Sequence, residues 1–174
     1  KLKVSFKTHF GYSVSISSDY ALIGAGAPPE EFSKDLSCGA YIFKRNGTSW
    51  TRQARLNSSS ALEHDLFGGS VSIDGDYAIV GASCDDQDVD REPLIDSGSA
   101  YIFKRDGTNW IEQAKLRDSS EARYSYFGLS VAISGDHAIM SSELGGQSKL
   151  PYGCVNAHMF RRDGSNWRQQ VDLV

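Results

Sequence analysis

The chain has 174 residues, enough for one domain with a sizeable core. Its formal net charge of −4 leaves no basic stripe for phosphates, which argues against nucleic acid as a partner. No apolar run reaches the roughly 18 residues of a membrane-spanning helix, so no membrane insertion is expected. No charged-then-apolar leader opens the sequence, as fits a processed product or an excised piece.

In chain order, the first predicted element lies in "FGYSVSISSDYALIGA", which starts at Phe10. Val14 and Ile16 alternate with serines there, the period of a strand with one apolar face. A tight turn at Ser18-Asp19 leads into a second, nearly all-apolar strand, "YALIGA". The connection "GAPPEEFSKDLSC" follows, and then a third strand, "AYIF", from Ala40. That strand enters an Asn46-Gly47 turn, a strong short hairpin signal. The fourth strand starts at Trp50. Simple alternation puts Trp50, Ala54 and Leu56 on one face and Thr51, Gln53 and Arg55 on the other.

The same two phrases then return twice. "FGGSVSIDGDYAIVGA" begins at Phe67 and "FGLSVAISGDHAIMSS" at Phe127, while "AYIFKRDGTNW" begins at Ala100 and "AHMFRRDGSNW" at Ala157. The spacing is 57 then 60 residues for the first phrase and 60 then 57 for the second, so the variation lies in the connecting loops. Three units follow, at about residues 10–56, 67–116 and 127–173. No segment carries a helical apolar period of useful length, so the chain is predicted to be all-β. Within each unit, polarity rises from small residues in strand one, through apolar strands two and three, to a half-polar strand four. Four antiparallel strands graded from a crowded axis to a wet rim describe a β-propeller blade.

Phe-Gly followed one hairpin later by Gly-Ala resembles the FG-GAP repeat, the blade unit of integrin α-subunit propellers. Its short-turn form, with phrases such as "SGSAYIFKRDGTNW", is most similar to the repeats of bacterial and other secreted or surface proteins. The resemblance covers nearly the whole chain in three copies. It implies a single segment of three propeller blades and a non-catalytic adhesion or ligand-binding module, extracellular or at the cell surface. Phe10, Phe67 and Phe127 would then plug the gaps between blades, with Gly11, Gly68 and Gly128 allowing close backbone approach. Gly81-Ala82 would let adjacent sheets pack closely, and Trp50, Trp110 and Trp167 would open each fourth strand as structural anchors. Integrin-type repeats often carry a calcium loop between strands one and two. Here the turns are only "SSD", "DGD" and "SGD", with too few oxygens for six ligands. Asp19, Asp76 and Asp136 are instead expected to hydrogen-bond their own turns.

Alternation places the strand 1–2 and 3–4 turns on one face and the longer, variable 2–3 and 4–1 loops on the other. A protein or glycan ligand is therefore expected at the loop face. Candidate contacts are His9, Tyr12, His64, Asp65, Tyr124, Tyr126 and Tyr152, because tyrosines suit both sugar stacking and protein hot spots. Their competing reading is as ordinary half-buried loop aromatics. The stretch "CDDQDVDRE" spaces Asp86, Asp88, Asp90 and Glu92 at every second position, a candidate calcium site. It lacks the mid-loop glycine of such loops, so a solvated acidic loop competes with calcium. Otherwise no cofactor is expected. Cys38, Cys84 and Cys154 are compatible with one disulfide and a free thiol or with three thiols. No hydrolase, zinc-protease or phosphate-loop motif is present. His9, His64, His137 and His158 fall at unrelated positions, with His137 in the place of Tyr20 and Tyr77 as a packing variant.

Three blades are fewer than the four to eight of a closed propeller. The chain is expected to be part of a longer propeller or to oligomerise, for example as two copies in a six-bladed ring. A structural role in forming rings or filaments, or a place beside a catalytic domain of a larger secreted enzyme, are the alternative functions. A β-trefoil is the other architecture compatible with three four-stranded units.

Overall fold

Each Phe-Gly phrase folds as predicted into a hairpin, and each hairpin continues into a sheet of its own. The computed structural model describes residues 9–26, 39–60, 62, 65–89, 92–119, 123–143 and 155–173. In the first sheet β1 (Ser13–Ser17), β2 (Tyr20–Gly24), β3 (Ala40–Asn46) and β4 (Ser49–Leu56) pair in sequence order, all antiparallel. The second contains β5 (Ser70–Asp74), β6 (Tyr77–Ala82), β9 (Ser99–Asp106) and β10 (Asn109–Leu116). Its 2–3 connection folds a small ribbon of its own, β7 (Gln87–Val89) with β8 (Glu92–Leu94), where a plain loop was expected. The third comprises β11 (Val131–Ser134), β12 (His137–Glu143), β13 (Val155–Asp163) and β14 (Asn166–Leu173). Among the described residues, strands pair within a unit and no sheet mixes two units, so these are three blades and not a trefoil.

The blades stack flank to flank, and the core lies between them. One cluster joins Leu22, Ala40, Ile42 and Leu56 of the first blade to Phe67, Val71, Ile73, Tyr101 and Phe103 of the second. The next joins Ile79, Ile102 and Leu116 of the second to Phe127, Ile133, Met140, Phe160 and Trp167 of the third. Every blade thus has a leading face, carrying the Phe of Phe-Gly, and the trailing faces of the first and second blades receive the blade that follows. Phe67 and Phe127 are buried and make edge-on contacts with their own blade's Phe103 and Phe160.

Simple alternation fails in strand four. Phe43 faces Arg52 but Ile42 faces Ala54, so Gln53 is an extra, bulged residue, and the same shift recurs at Gln113 and Gln170. A bulge reverses the side-chain parity beyond it. Trp50 therefore packs with Phe43 on the leading face while Ala54 and Leu56 turn to the trailing face, correcting the expectation that all three share one side. The displaced glutamine is used at once. Gln53 Oε1 accepts from Trp110 Nε1 at 3.3 Å, and Gln113 Oε1 accepts from Trp167 Nε1 at 3.2 Å, each across a joint.

Strand one supplies hydroxyls to the same joints. Ser13 Oγ donates to the Gly68 carbonyl at 2.9 Å, and Ser70 Oγ to that of Gly128 at 2.7 Å. Ser15 and Ser72 accept from the amides of Ile73 and Ile133 at 3.1 and 3.2 Å. Ser17 accepts from the Gly75 amide at 3.1 Å, and Asp74 from that of Gly135 at 2.7 Å. The small, polar first strand thus reflects direct bonding between sheets as much as crowding.

Position within the stack decides what a residue contributes. Val71 and Ile73 are 8% and 4% exposed, whereas their first-blade equivalents Val14 and Ile16 are 68% and 67% exposed. At the other end Leu173 is 49% exposed, against 1% for Leu56. Leu56→Ala is expected to cost about 2–5 kcal/mol in urea unfolding, and Leu173→Ala less than about 1 kcal/mol. Equal losses would contradict this stacking.

Candidate functional site

The short-turn face is occupied by ion pairs. Arg45 Nε and Nη2 donate to Asp19 Oδ1 at 2.8 and 2.5 Å, and Arg105–Asp76 and Arg162–Asp136 repeat the pair in the other blades. Each aspartate carbonyl also accepts the backbone N–H of its arginine, at 2.8 Å. The expectation that these carboxylates bond within their own turns is thereby corrected: each reaches the end of strand three. The guanidinium groups continue across the joint, with Arg105 over the Tyr20 ring at 5.1 Å and Arg162 over Tyr77 at 4.4 Å.

The loop face is different in kind. Between the second and third blades, residues 95–97 run beside residues 124–127. Tyr124 N–H donates to Ile95 O at 2.9 Å, Tyr126 N–H to Asp96 O at 3.0 Å and Phe127 N–H to Ser97 O at 3.0 Å. This rung-like pairing ties a 2–3 loop to a 4–1 loop and ends in a parallel bridge from Gly98 to Phe127. Asp96, Tyr124 and Tyr126 all hold left-handed backbone, with φ of 49°, 57° and 48°. Such conformations are uncommon for non-glycine residues, and here they are fixed by the rungs.

Around the rungs the side chains are acidic and aromatic. Asp86 Oδ1 accepts from the Asp96 N–H at 2.9 Å. The Cys84 thiol donates to the Asp96 carboxylate, and burial together with that charge pushes its pKa up to about 12, so it is a protonated thiol. Burial, reinforced by Asp86, raises Asp96 above the usual carboxylate range. Tyr126 is likewise raised, by burial and then by Asp96, Cys84 and Glu143. Asp85 lies deeper, fully engaged by Tyr101 Oη at 2.6 Å and Lys115 Nζ at 2.7 Å. Asp65 is buried beside this group; its Oδ2 accepts from the Leu62 N–H at 2.5 Å.

The structure therefore gathers three of the predicted contacts, Asp65, Tyr124 and Tyr126, around Cys84 and Asp96. Asp65 is buried and Tyr124 and Tyr126 are half-buried. His9 and Tyr12 belong to the first blade's Phe-Gly turn, one joint away, where Tyr12 is exposed. His64 and Tyr152 lie outside the described residues, as do Cys38 and Cys154. Of the candidate calcium ligands, Asp86 is exposed and spends one oxygen on Asp96. Asp88 and Glu92 pair with Pro93 and Val89 in the ribbon, and their side chains, with Asp90, lie outside the described residues. Among the described residues no group of three metal-ligating side chains is assembled.

The third blade holds a chain of polar contacts that the sequence reading missed. Ser142 Oγ lies 2.7 Å from His158 Nε2, and His158 Nδ1 lies 2.8 Å from Asp172 Oδ1. His158 occupies the place of Tyr41 and Tyr101, a substitution visible when "AHMF" is set beside "AYIF". Ser142 and His158 are buried, so the chain links β12, β13 and β14 and offers its hydroxyl to no ligand at the surface. His137, expected as a packing variant, is exposed on β12.

Asp65 provides a pH signature for the site. Burial is the chief cause raising its pKa from 3.8 to about 6, with Asp85 and Asp86 adding to it and the Leu62 amide and Lys115 opposing it. A raised carboxylate pKa means that the folded chain binds the proton more tightly than the unfolded one. The associated stability is complete below about pH 3.8 and is lost as pH rises through about 6. Asp65→Asn keeps an oxygen for the Leu62 amide and removes the charge. Its melting temperature relative to wild type is expected to rise as pH goes from about 4 to about 7; a pH-independent difference would refute the assignment.

Comparison with known proteins agrees with this architecture. A search of the curated proteins finds no match. Among solved structures, the crystal structure of the N-terminal domain of Nup159 is similar, with a TM-score of 0.52 and 11% identity. The similarity covers 96% of this chain but 38% of that one, so the chain spans well under half of its structural relative. At this identity the likeness concerns the fold alone. The FG-GAP repeat family matches residues 4–43, 50–103 and 110–149, with the second and third matches starting on Trp50 and Trp110. With most of its length covered by these matches and its three sheets stacked as blades, the chain belongs to the FG-GAP repeat family.

Proposed function

We propose that this chain is a non-catalytic binding module, extracellular or at the cell surface, that takes a protein or glycan ligand on its 2–3 and 4–1 loop face. The observation that carries this reading is the rung-like pairing of residues 95–97 with 124–127. It presents Tyr124 and Tyr126 beside Asp86 and Asp96 on a mount stiffened by two stacked blades. Rigid tyrosines lose little conformational entropy on binding, and nearby carboxylates suit a hydroxyl-rich or basic partner. The repeated, ion-paired turn face offers no comparable variety. A second reading, assembly through blade faces, draws support from the exposure of Val14, Ile16 and Leu173.

The test is a glycan array and a cell-surface protein pull-down with the chain as bait, followed by titration of whatever is captured. Tyr124→Ala and Asp86→Ala are each expected to weaken binding by about tenfold or more. Thr108→Arg, on the turn face, is expected to leave it unchanged. Binding that is lost with Thr108→Arg and kept in the loop variants would overturn the assignment.

A further inference from the structure

Two stretches of the first blade match the acceptor pattern for N-linked glycans, an asparagine with a hydroxyl residue two places on. They are Asn46-Gly47-Thr48, in the turn between β3 and β4, and Asn57-Ser58-Ser59, just beyond β4. The other two units have Asp106 and Asp163 in place of Asn46, and Arg117 and Val174 in place of Asn57. Neither pattern is therefore a requirement of the repeat.

The structure separates the two. Asn57 is exposed, but the serines after it seat the second blade. Ser59 N–H and Oγ donate to Glu112 Oε2 and Oε1 at 2.7 and 2.8 Å, and Ser60 Oγ lies 3.1 Å from Tyr101 Oη. With both blades in place, the hydroxyl that this pattern needs is already engaged. Asn46 and Thr48 are exposed at the opposite end of the blade. Asn46 closes β3 opposite Ser49, and Gly47 turns the chain with φ of 61°. A Cβ on Gly47 would meet nothing within 4 Å, so the middle of this turn borders open space. Asp106 and Asp163 close the equivalent turns, with Gly107 and Gly164 at φ of 61° and 63°. The turn thus does not depend on the amide of residue 46, which is left for chemistry.

We propose that Asn46 carries an N-linked glycan. The proposal rests on the extracellular reading above, because this modification belongs to secreted chains. The donor is an oligosaccharide joined through its anomeric carbon to a lipid pyrophosphate. Asn46 Nδ2 attacks that carbon, so an N–C bond forms as the C–O bond to pyrophosphate breaks. The amide gives up one proton to a base of the transferase, and the lipid pyrophosphate leaves. The glycan then stands on the turn face, away from Asp86, Asp96, Tyr124 and Tyr126, and leaves the loop face open.

The full chain, secreted from cultured eukaryotic cells behind a cleavable signal, tests this by intact mass and peptide mapping. Both are read before and after treatment with an N-glycanase that leaves aspartate at an occupied site. Wild type is expected to lose the mass of a glycan, with residue 46 converted to aspartate. Thr48→Val keeps Asn46 and removes only the hydroxyl, and it is expected to lose the glycan there. Asn46→Asp copies the second and third units and is expected to fold without it. An unmodified Asn46 in the secreted wild type would overturn the proposal, whether or not Asn57 is occupied. So would a glycan that stays on Asn46 in Thr48→Val; should that variant not be secreted, the wild type still decides. Ligand capture by chain made without glycosylation tests the loop face independently, so its failure is distinct from an unmodified Asn46.

Discussion

The architecture depends on the approach of one blade's strand-two glycine to the next blade's Phe-Gly carbonyl. At that distance there is no room for a side chain, so the backbone itself forms the contact surface. The Phe-Gly turn reaches it because Gly68 and Gly128 take φ of 94° and 88°, open to glycine at little cost. The phenylalanine before each glycine is thereby pressed into the seam, and the serines of strand one come within bonding range of the next sheet's amides and carbonyls. Apolar burial supplies most of the driving force at such a seam. The hydroxyl bonds fix its register, since each connects a defined pair of residues across it.

Much of this was legible in the sequence because blades are local. A repeated phrase, a period of two and turn residues at fixed offsets specify four strands each without reference to distant residues. Phe67 is buried and Gly81 lies against the Gly128 carbonyl, two positions that the resemblance to the FG-GAP repeat picks out. What escaped the sequence was long-range. Gln53 gives no sign of being bulged, since a glutamine in a half-polar strand looks like any exposed residue. Asp19, Asp76 and Asp136 look like turn caps until the end of strand three is known to lie beside them. His158 stands out only when the repeats are aligned and its place is seen to belong to tyrosine.

The candidate site was legible in part for the same reason. Asp65, Tyr124 and Tyr126 were picked out by their place before Phe-Gly, but nothing in the sequence couples residues 95–97 to residues 124–127. That coupling arises because a 2–3 loop of one blade and a 4–1 loop into the next emerge side by side. It turns unremarkable loop residues, Asp86, Asp96 and Cys84, into neighbours of the tyrosines. Burial, and then the carboxylate beside it, keep the thiol protonated, so Cys84 contributes packing and a hydrogen bond in place of reactivity.

The bulged glutamine of strand four makes that strand sensitive to insertions and deletions. Because parity reverses at that point, one strand turns its tryptophan to the preceding blade and its alanine and leucine to the following one. Losing that one residue would straighten the edge and rotate half of it out of its seam. Residue number in strand four is therefore fixed by the two seams it serves, one on each side of the glutamine.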